Sequence, residues 1–514
     1  MDTNDVYYVY LGLALISMLL VVAKGSRRGR SPAHGQGLRL PPGPWQVPII
    51  GSLHHIAGRK LPHRALRDLA RRYGPVMMLR IGEVPTVVVS SREAAIEVMK
   101  THDLAFASRP QTATGRVITK EGRDIAFAPY GEHWRQLRKV AITELLSVRR
   151  VLSYRAIREG EVAAMLRDLA GAAAASRPVE MRARLAALVS DTTLRAVVGG
   201  RWEERDAFLR ELSRASVLVA GFNLADLWPS SWLAGRLSGV VPRAQVCIDR
   251  IYGLLDGVID AHRRKARNAG DAAGPEDLIH VLLRLQKDGE LPLDMDVIKA
   301  VIFDIFGAGS DTSSTTLEWA LAELVRNPRV MRKAQAELRA AFGGAGRVRE
   351  QALGQLQYLP LVVRETLRLH APAPLLLPRQ SREPCRVLGY DVPEGTMVLV
   401  NVWALARDER YWPNAPAEFR PERYECESRG VDMKGTNFEL LPFGAGRRIC
   451  PGLAFGLANI ELALASLLFH FDWELPGQSD PAELDMTEIF GANTRRKAEL
   501  LLRPVIRVPV PTAI

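Results

Sequence analysis

Cysteine is scarce: Cys247, Cys385, Cys426 and Cys450 are the only four in 514 residues, with no Cys-x-x-Cys and no close pair. That spacing excludes a zinc ribbon and a secreted disulfide framework, and it suits a reducing compartment. The chain lacks any Asn-x-Ser/Thr sequon, as expected of a body that never faces the secretory lumen. It has no internal repeat, and no basic block interleaved with aromatics of the kind a nucleic-acid binder carries. Glycine (41) and proline (32) are too few for a collagen-like or disordered chain. With 47% apolar residues, a large globular core is expected.

Residues 6–23 run without a charge; as a helix they would span about 27 Å, close to a thin bilayer core. Asp2 and Asp5 precede the run, and Lys24, Arg27, Arg28, Arg30 and Arg39 follow it. A signal peptide would carry its positive charge first. The asymmetry predicts a short lumenal N-terminus (1–5), a single transmembrane anchor (6–23) and a cytosolic body. The flank contributes +5 and the leading aspartates −2, so +9 of the net +12 is spread over the rest. Such basicity suits a membrane surface and an acidic protein partner, not nucleic acid. Pro41, Pro42, Pro44 and Pro48 then stiffen a hinge closing the 24–51 segment.

Residues 52–514 read as one mainly α domain with a minor β region. Strand-like alternation appears at 76–81 and 86–90. Helical patterning covers 132–146, 154–175, 206–220, 244–268, 275–287, 294–326, 358–370 and 451–471. The 294–326 run is unusually long and stops at Asn327-Pro328.

Most cysteines are inert packing residues, but Cys450 sits in Phe443-Gly444-Ala445-Gly446-Arg447-Arg448-Ile449-Cys450-Pro451-Gly452. Two glycines allow a tight turn, and Pro451 suits the first position of a helix, placing Cys450 at its N-terminus. Free N–H groups there, with Arg447 and Arg448 nearby, would favour a thiolate. A thiolate so held is an axial ligand for haem iron, and the arginines suit haem's two carboxylates. Inside the long helix, Ala308-Gly309-Ser310-Asp311-Thr312-Ser313 holds two further features. Gly307 and Gly309 weaken the helix by roughly 1 kcal/mol each relative to Ala, as if a bulky ligand approached the backbone. The Thr312 hydroxyl can bond back to residue 308, opening a local bulge, beside the acid of Asp311. Glu365 and Arg368 are neighbours on a helix, as are Trp134 and Arg138.

The cysteine segment resembles the Phe-x-x-Gly-x-Arg-x-Cys-x-Gly loop of cytochromes P450 at every fixed position. The likeness extends along nearly the whole chain, most closely to microsomal plant A-type members, the clan of terpenoid and specialised-metabolism hydroxylases. The resemblance implies the cytochrome P450 fold and a haem b (iron protoporphyrin IX) held by Cys450. It also implies an endoplasmic reticulum membrane location, and monooxygenation of a hydrophobic molecule with O2. Electrons would come from NADPH through NADPH–cytochrome P450 reductase, a flavoprotein. It assigns haem contacts to Arg448, Trp134, Arg138, Arg379 and Phe443, oxygen space to Ala308 and Gly309, and a proton relay to Thr312 and Asp311. Arg423, in Phe419-Arg420-Pro421-Glu422-Arg423-Tyr424, would complete a structural network with Glu365 and Arg368. Substrate contacts would include Ile302, Phe303, Phe306, Ala373, Leu376 and Phe490. Arg135, Lys139 and Arg447 are candidates for the reductase docking face. The rival reading is a reductase-independent isomerase or dehydratase acting on hydroperoxides, which the intact Asp311-Thr312 pair disfavours. A non-catalytic haem protein would need no relay at all.

Overall fold

The structure, a computed structural model, describes residues 37–511 apart from 59, 220–222, 269–275, 290–292 and 479. The expected anchor at 6–23 and most of its basic flank lie outside the described residues. Helices make up most of the described body, around the 32-residue helix Met295–Arg326, about 48 Å long. Its start is capped by Asp294, whose carboxylate accepts the Val297 N–H at 2.8 Å. At its end the Asn327 side chain donates to the Glu323 carbonyl, and Pro328 opens the next helix.

The long helix packs most extensively on Met181–Val198 and then on Leu453–His470. The first of these carries Arg182, Arg184 and Asp191 among its apolar residues, so its periodicity is weak and was not anticipated. Leu453–His470 has the opposite character, apolar along most of its length around Asn459, Glu461, Ser466 and His470, with mean hydropathy 1.6. Among the described residues it alone is long and apolar enough to cross a membrane, and 67% of it is buried in the protein. Its composition is that of a core helix packed on all sides.

The main sheet orders its strands Val76–Ile81, Val84–Val89, Met397–Val400, Arg379–Gln380. The second and third run parallel, the outer pairings antiparallel. Alternation was expected at 86–90, yet Val87, Val88 and Val89 are all fully buried. A strand with neighbours on both edges and cover on both faces has no solvent side to alternate toward.

Three local expectations differ from the structure. Residues 141–145 form a π turn that ends the helix Glu132–Val140. The long helix is α-helical throughout, so the bulge expected near Thr312 is absent. The helix after the cysteine begins at Leu453 with Gly452 as its cap, so Pro451 lies ahead of it and Cys450 two residues before the cap.

Candidate active site

Gly444 (φ 70°) and Gly446 (φ 67°) take left-handed backbone that L side chains rarely adopt. A Cβ on Gly446 would lie 2.3 Å from the Met99 carbonyl oxygen, so the loop closes only with glycine there. Three backbone N–H groups then fix the turn: Cys450 to the Phe443 carbonyl (2.9 Å), Ile449 to the Gly446 carbonyl (3.0 Å), and Arg447 to Asp103 Oδ2 (2.9 Å). The Arg138 guanidinium donates to the Ile449 carbonyl at 2.6 Å.

The Cys450 residue retains accessible surface although protein crowds its sulfur, so it faces an interior opening. Burial pushes the thiol pKa up, against the pull of the Gly452 N–H and Arg138. A helix N-terminus would lower it instead. Desolvation wins because the cap has moved to Gly452 and because Arg447 and Arg448 point elsewhere. Metal binding would deprotonate the thiol despite this shift, since the metal ligand is the thiolate.

Arg448 is buried and donates to the carbonyls of Ala107 (2.7 Å) and Ala128 (2.6 Å), while stacking 4.1 Å over the Trp134 ring. The Trp134 indole N–H donates to the Ile125 carbonyl at 3.0 Å. Arg379 donates to the Ala445 carbonyl (2.8 Å) and to Asp103 Oδ1 (3.2 Å). Arg109, which sequence reasoning missed, reaches the carbonyls of Leu377 and Pro378, both at 2.8 Å, and of Ala126 at 3.0 Å. These guanidiniums crowd one another. Desolvation, then Arg379, lowers Arg448 to about 9. Desolvation, then Arg448 and Arg379, holds Arg109 well below its ordinary value. Buried positive charge in such excess suits a dianionic ligand. Haem, with an axial thiolate position and two propionates, meets both demands, so the residues present fit the group.

Across from the loop, Ala308 and Asp311 are the only exposed residues of the long helix between Val297 and Val325. The helix passes close to the segment just after Cys450. A Cβ on Gly309 would meet Phe455 at 3.8 Å, and one on Gly456 would meet the Ser313 hydroxyl at 3.6 Å. The Thr312 hydroxyl donates to the Ala308 carbonyl at 2.7 Å. Burial raises the Asp311 carboxyl pKa, with Arg495 opposing. Gly309 itself points at Thr193 and Phe455 at ordinary contact distance, so its missing side chain does not open the Ala308 face.

The pocket expectation at 302–306 needs correction. Ile302 and Phe306 are fully buried in the helical core, Phe306 against Phe208 at 4.8 Å between ring centroids. Phe303 is partly buried against the same cluster. One helical turn before Ala308, on its face, lies Asp304 instead. Its Oδ2 accepts the N–H groups of Ile125 (2.6 Å) and Ala126 (3.0 Å), tying the 124–127 loop to the helix. Burial lifts its pKa to about 7. The four-residue step back from Ala308 was the signal that could have found it. Leu376 (φ 53°) and Ala373 share a turn over the cysteine loop, with Leu376 Cδ1 3.7 Å from where a Gly444 Cβ would sit. Phe490 packs with Leu375 beside the main sheet and faces His63 at 6.3 Å.

Glu365, Arg368 and Arg423 come together with no side-chain exposure at all. Arg368 grips the carboxylate with Nε and Nη2, both at 2.8 Å, and Arg423 Nε adds a third contact at 2.9 Å. Arg368 also donates to the carbonyls of Ala406, Pro416 and Glu418, which pins the 406–418 segment.

A cysteine in a glycine turn braced by buried arginines, with an acid–alcohol pair on a long helix packed against the segment after it, fits a haem-thiolate protein. Residues 41–501 match the family model for Cytochrome P450, and the chain belongs to that family of monooxygenases. It is 48% identical to dolabradiene monooxygenase of Zea mays, covering 97% of this chain and 98% of that one. It is 46% identical to premnaspirodiene oxygenase of Hyoscyamus muticus and to 5-epiaristolochene 1,3-dihydroxylase of Nicotiana tabacum. Each of these alignments covers 91% of this chain and 93% of the relative.

Proposed function

We propose that this chain is a membrane-anchored monooxygenase of terpenoid substrates. The observation that carries it is the Cys450 loop, tied down by Arg138 and Arg379 and carrying the buried Arg448, together with the exposed Ala308 and Asp311 of the long helix. Cys450 would hold the haem iron, and Arg448, Arg379, Arg109 and Arg138 would neutralise its propionates. When bound, haem supplies the oxygen activation that acids and bases cannot perform on a hydrocarbon C–H bond.

The chain's own groups control protons and water. Asp311, whose carboxyl pKa burial raises, presents an acid on the exposed face. The Thr312 hydroxyl, anchored on the Ala308 carbonyl, can turn to accept a proton and pass one inward. Asp304 keeps the 124–127 loop closed over the interior and limits water entry. The named substrates of the relatives are terpenoid hydrocarbons, which suits a site bordered by Ala308, Leu375, Leu376 and Ala373.

Electrons would arrive from NADPH through an acidic flavoprotein reductase docking on the face of Arg135, Lys139 and Arg447, all exposed. Residues 6–23 would anchor the protein in the endoplasmic reticulum membrane, with the body in the cytosol. Microsomal co-expression with a reductase, fed a panel of terpenes, tests the reading by mass spectrometry of the products. NADPH-dependent oxygenated terpenoids are expected. NADPH-independent turnover of hydroperoxides would replace it with the isomerase reading.

A further inference from the structure

Far along the sequence from the cysteine loop, three side chains converge where helix Val240–Asn268 meets the start of helix Leu278–Asp288. Asp277 caps the second helix, its Oδ1 accepting the His280 N–H at 2.9 Å. Its Oδ2 lies 3.0 Å from His262 Nε2 and 2.9 Å from His280 Nδ1. The three ligand atoms fall within 4.8 Å of one another.

The tautomer is the informative feature. His262 Nδ1 lies 2.8 Å from the Val258 carbonyl, which can only accept, so the proton sits on Nδ1. In the neutral ring, Nε2 then points a lone pair at a carboxylate oxygen. His280 Nδ1 is a second buried nitrogen aimed at the same oxygen, and it finds no aligned hydrogen-bond partner among the described residues. A proton on His262 Nε2 satisfies the first of these contacts; a single divalent cation among the three atoms would satisfy both ring nitrogens at once. The backbone of Gly199 closes another side; a Cβ there would lie 2.3 Å from Asp277 Oδ2, so the carboxylate cannot swing that way.

We propose that His262, Asp277 and His280 form a divalent transition-metal site of the Zn2+ class, clasping the two helices together. Tetrahedral zinc with ligands at about 2.0–2.2 Å sets neighbouring ligand atoms about 3.3 Å apart. The observed 2.9 and 3.0 Å need only a few tenths of an ångström of opening. The Val258 carbonyl supplies the outer hydrogen bond that orients a ligating imidazole. His262 and Asp277 are buried, while the His280 side chain is 39% exposed and leaves an entry path and a water position. The site is structural and independent of turnover.

The test uses full-length haem protein in detergent, freed of affinity tag and treated with chelator, then titrated with ZnCl2 by calorimetry. One Zn2+ per chain is expected, together with a rise in the thermal midpoint read from the Soret band. Asp277→Asn keeps a capping oxygen but loses the anionic ligand. It and His280→Ala should each weaken Zn2+ binding by about 100-fold or more, while the carbon-monoxide-shifted Soret band persists. No saturable one-to-one binding by the wild type at millimolar Zn2+ overturns the site. Binding that survives undiminished in both variants, as it would if the neighbouring His54 and His55 were responsible, overturns it equally.

Discussion

Replacing Glu365 by glutamine keeps the side chain's shape and removes one charge from the most buried ionic cluster among the described residues. In the native arrangement one carboxylate receives two bonds from Arg368, one from Arg423 and one from the Arg420 N–H at 3.0 Å. Burial alone would raise the Glu365 pKa, yet these partners hold it below the ordinary value. Glutamine leaves two guanidiniums buried without an anion, a loss of about 3–5 kcal/mol for breaking such a cluster. Unfolding entropy for a body of this length is about 1 kcal/mol per kelvin, so the midpoint should fall by about 3–5 °C. Because large proteins often unfold irreversibly, scans at one fixed rate should follow the carbon-monoxide-shifted Soret band. The control is Arg329→Ala, which breaks a 2.6 Å pair with Glu422 whose arginine is 65% exposed. That loss should stay within about 1 kcal/mol. A triple apolar replacement of Glu365, Arg368 and Arg423 should not restore stability, since Arg368 also satisfies three backbone carbonyls. If Glu365→Gln shifts the midpoint no further than Arg329→Ala, the cluster is not what fixes the region behind the cysteine loop.

Thr312→Ala should lower product formed per NADPH consumed by about tenfold or more while NADPH oxidation continues; an unchanged ratio removes the relay. Asp304 has a folded pKa of about 7 against an ordinary 3.8, so the stability it confers is complete below about pH 4 and is lost as pH rises through about 7. Asp304→Asn should flatten the decline of the thermal midpoint between about pH 4 and pH 7, where the unfolded carboxyl is ionised and the folded one is not; an identical slope in the variant refutes the assignment. Arg135→Glu, Lys139→Glu and Arg447→Glu together should raise the apparent reductase KM several-fold at low salt. Kinetics insensitive to both charge and salt would place the docking face elsewhere.

The parts of the site legible in the sequence are those fixed by local chemistry. Gly444 and Gly446 are needed because the backbone there is left-handed, and a Cβ at Gly446 would strike the Met99 carbonyl. The Thr312 hydroxyl finds the carbonyl four residues back because helix geometry puts it there. Glu365 and Arg368 meet for the same reason. The long helix and the apolar helix after the cysteine were readable from length, end signals and composition. Met181–Val198 was not, because charged residues interrupt its periodicity and only contact with the long helix explains its burial. Ile302 and Phe306 were misplaced because an apolar residue in a helix can face a ligand or a core equally well.

The sequence by itself therefore determined the ligand sulfur, the turn that presents it and the helix that carries the acid–alcohol pair, since each depends on neighbours a few residues away. Only the tertiary structure decided the electrostatics. Arg109, Arg379 and Arg448 come from distant segments, and their mutual repulsion and the upward shift of the Cys450 thiol exist only once burial removes water. The Asp304 latch, and the convergence of His262 with Asp277 and His280, likewise depend on which segments pack together. Charge burial is a property of the assembled interior, and no local window of sequence contains it.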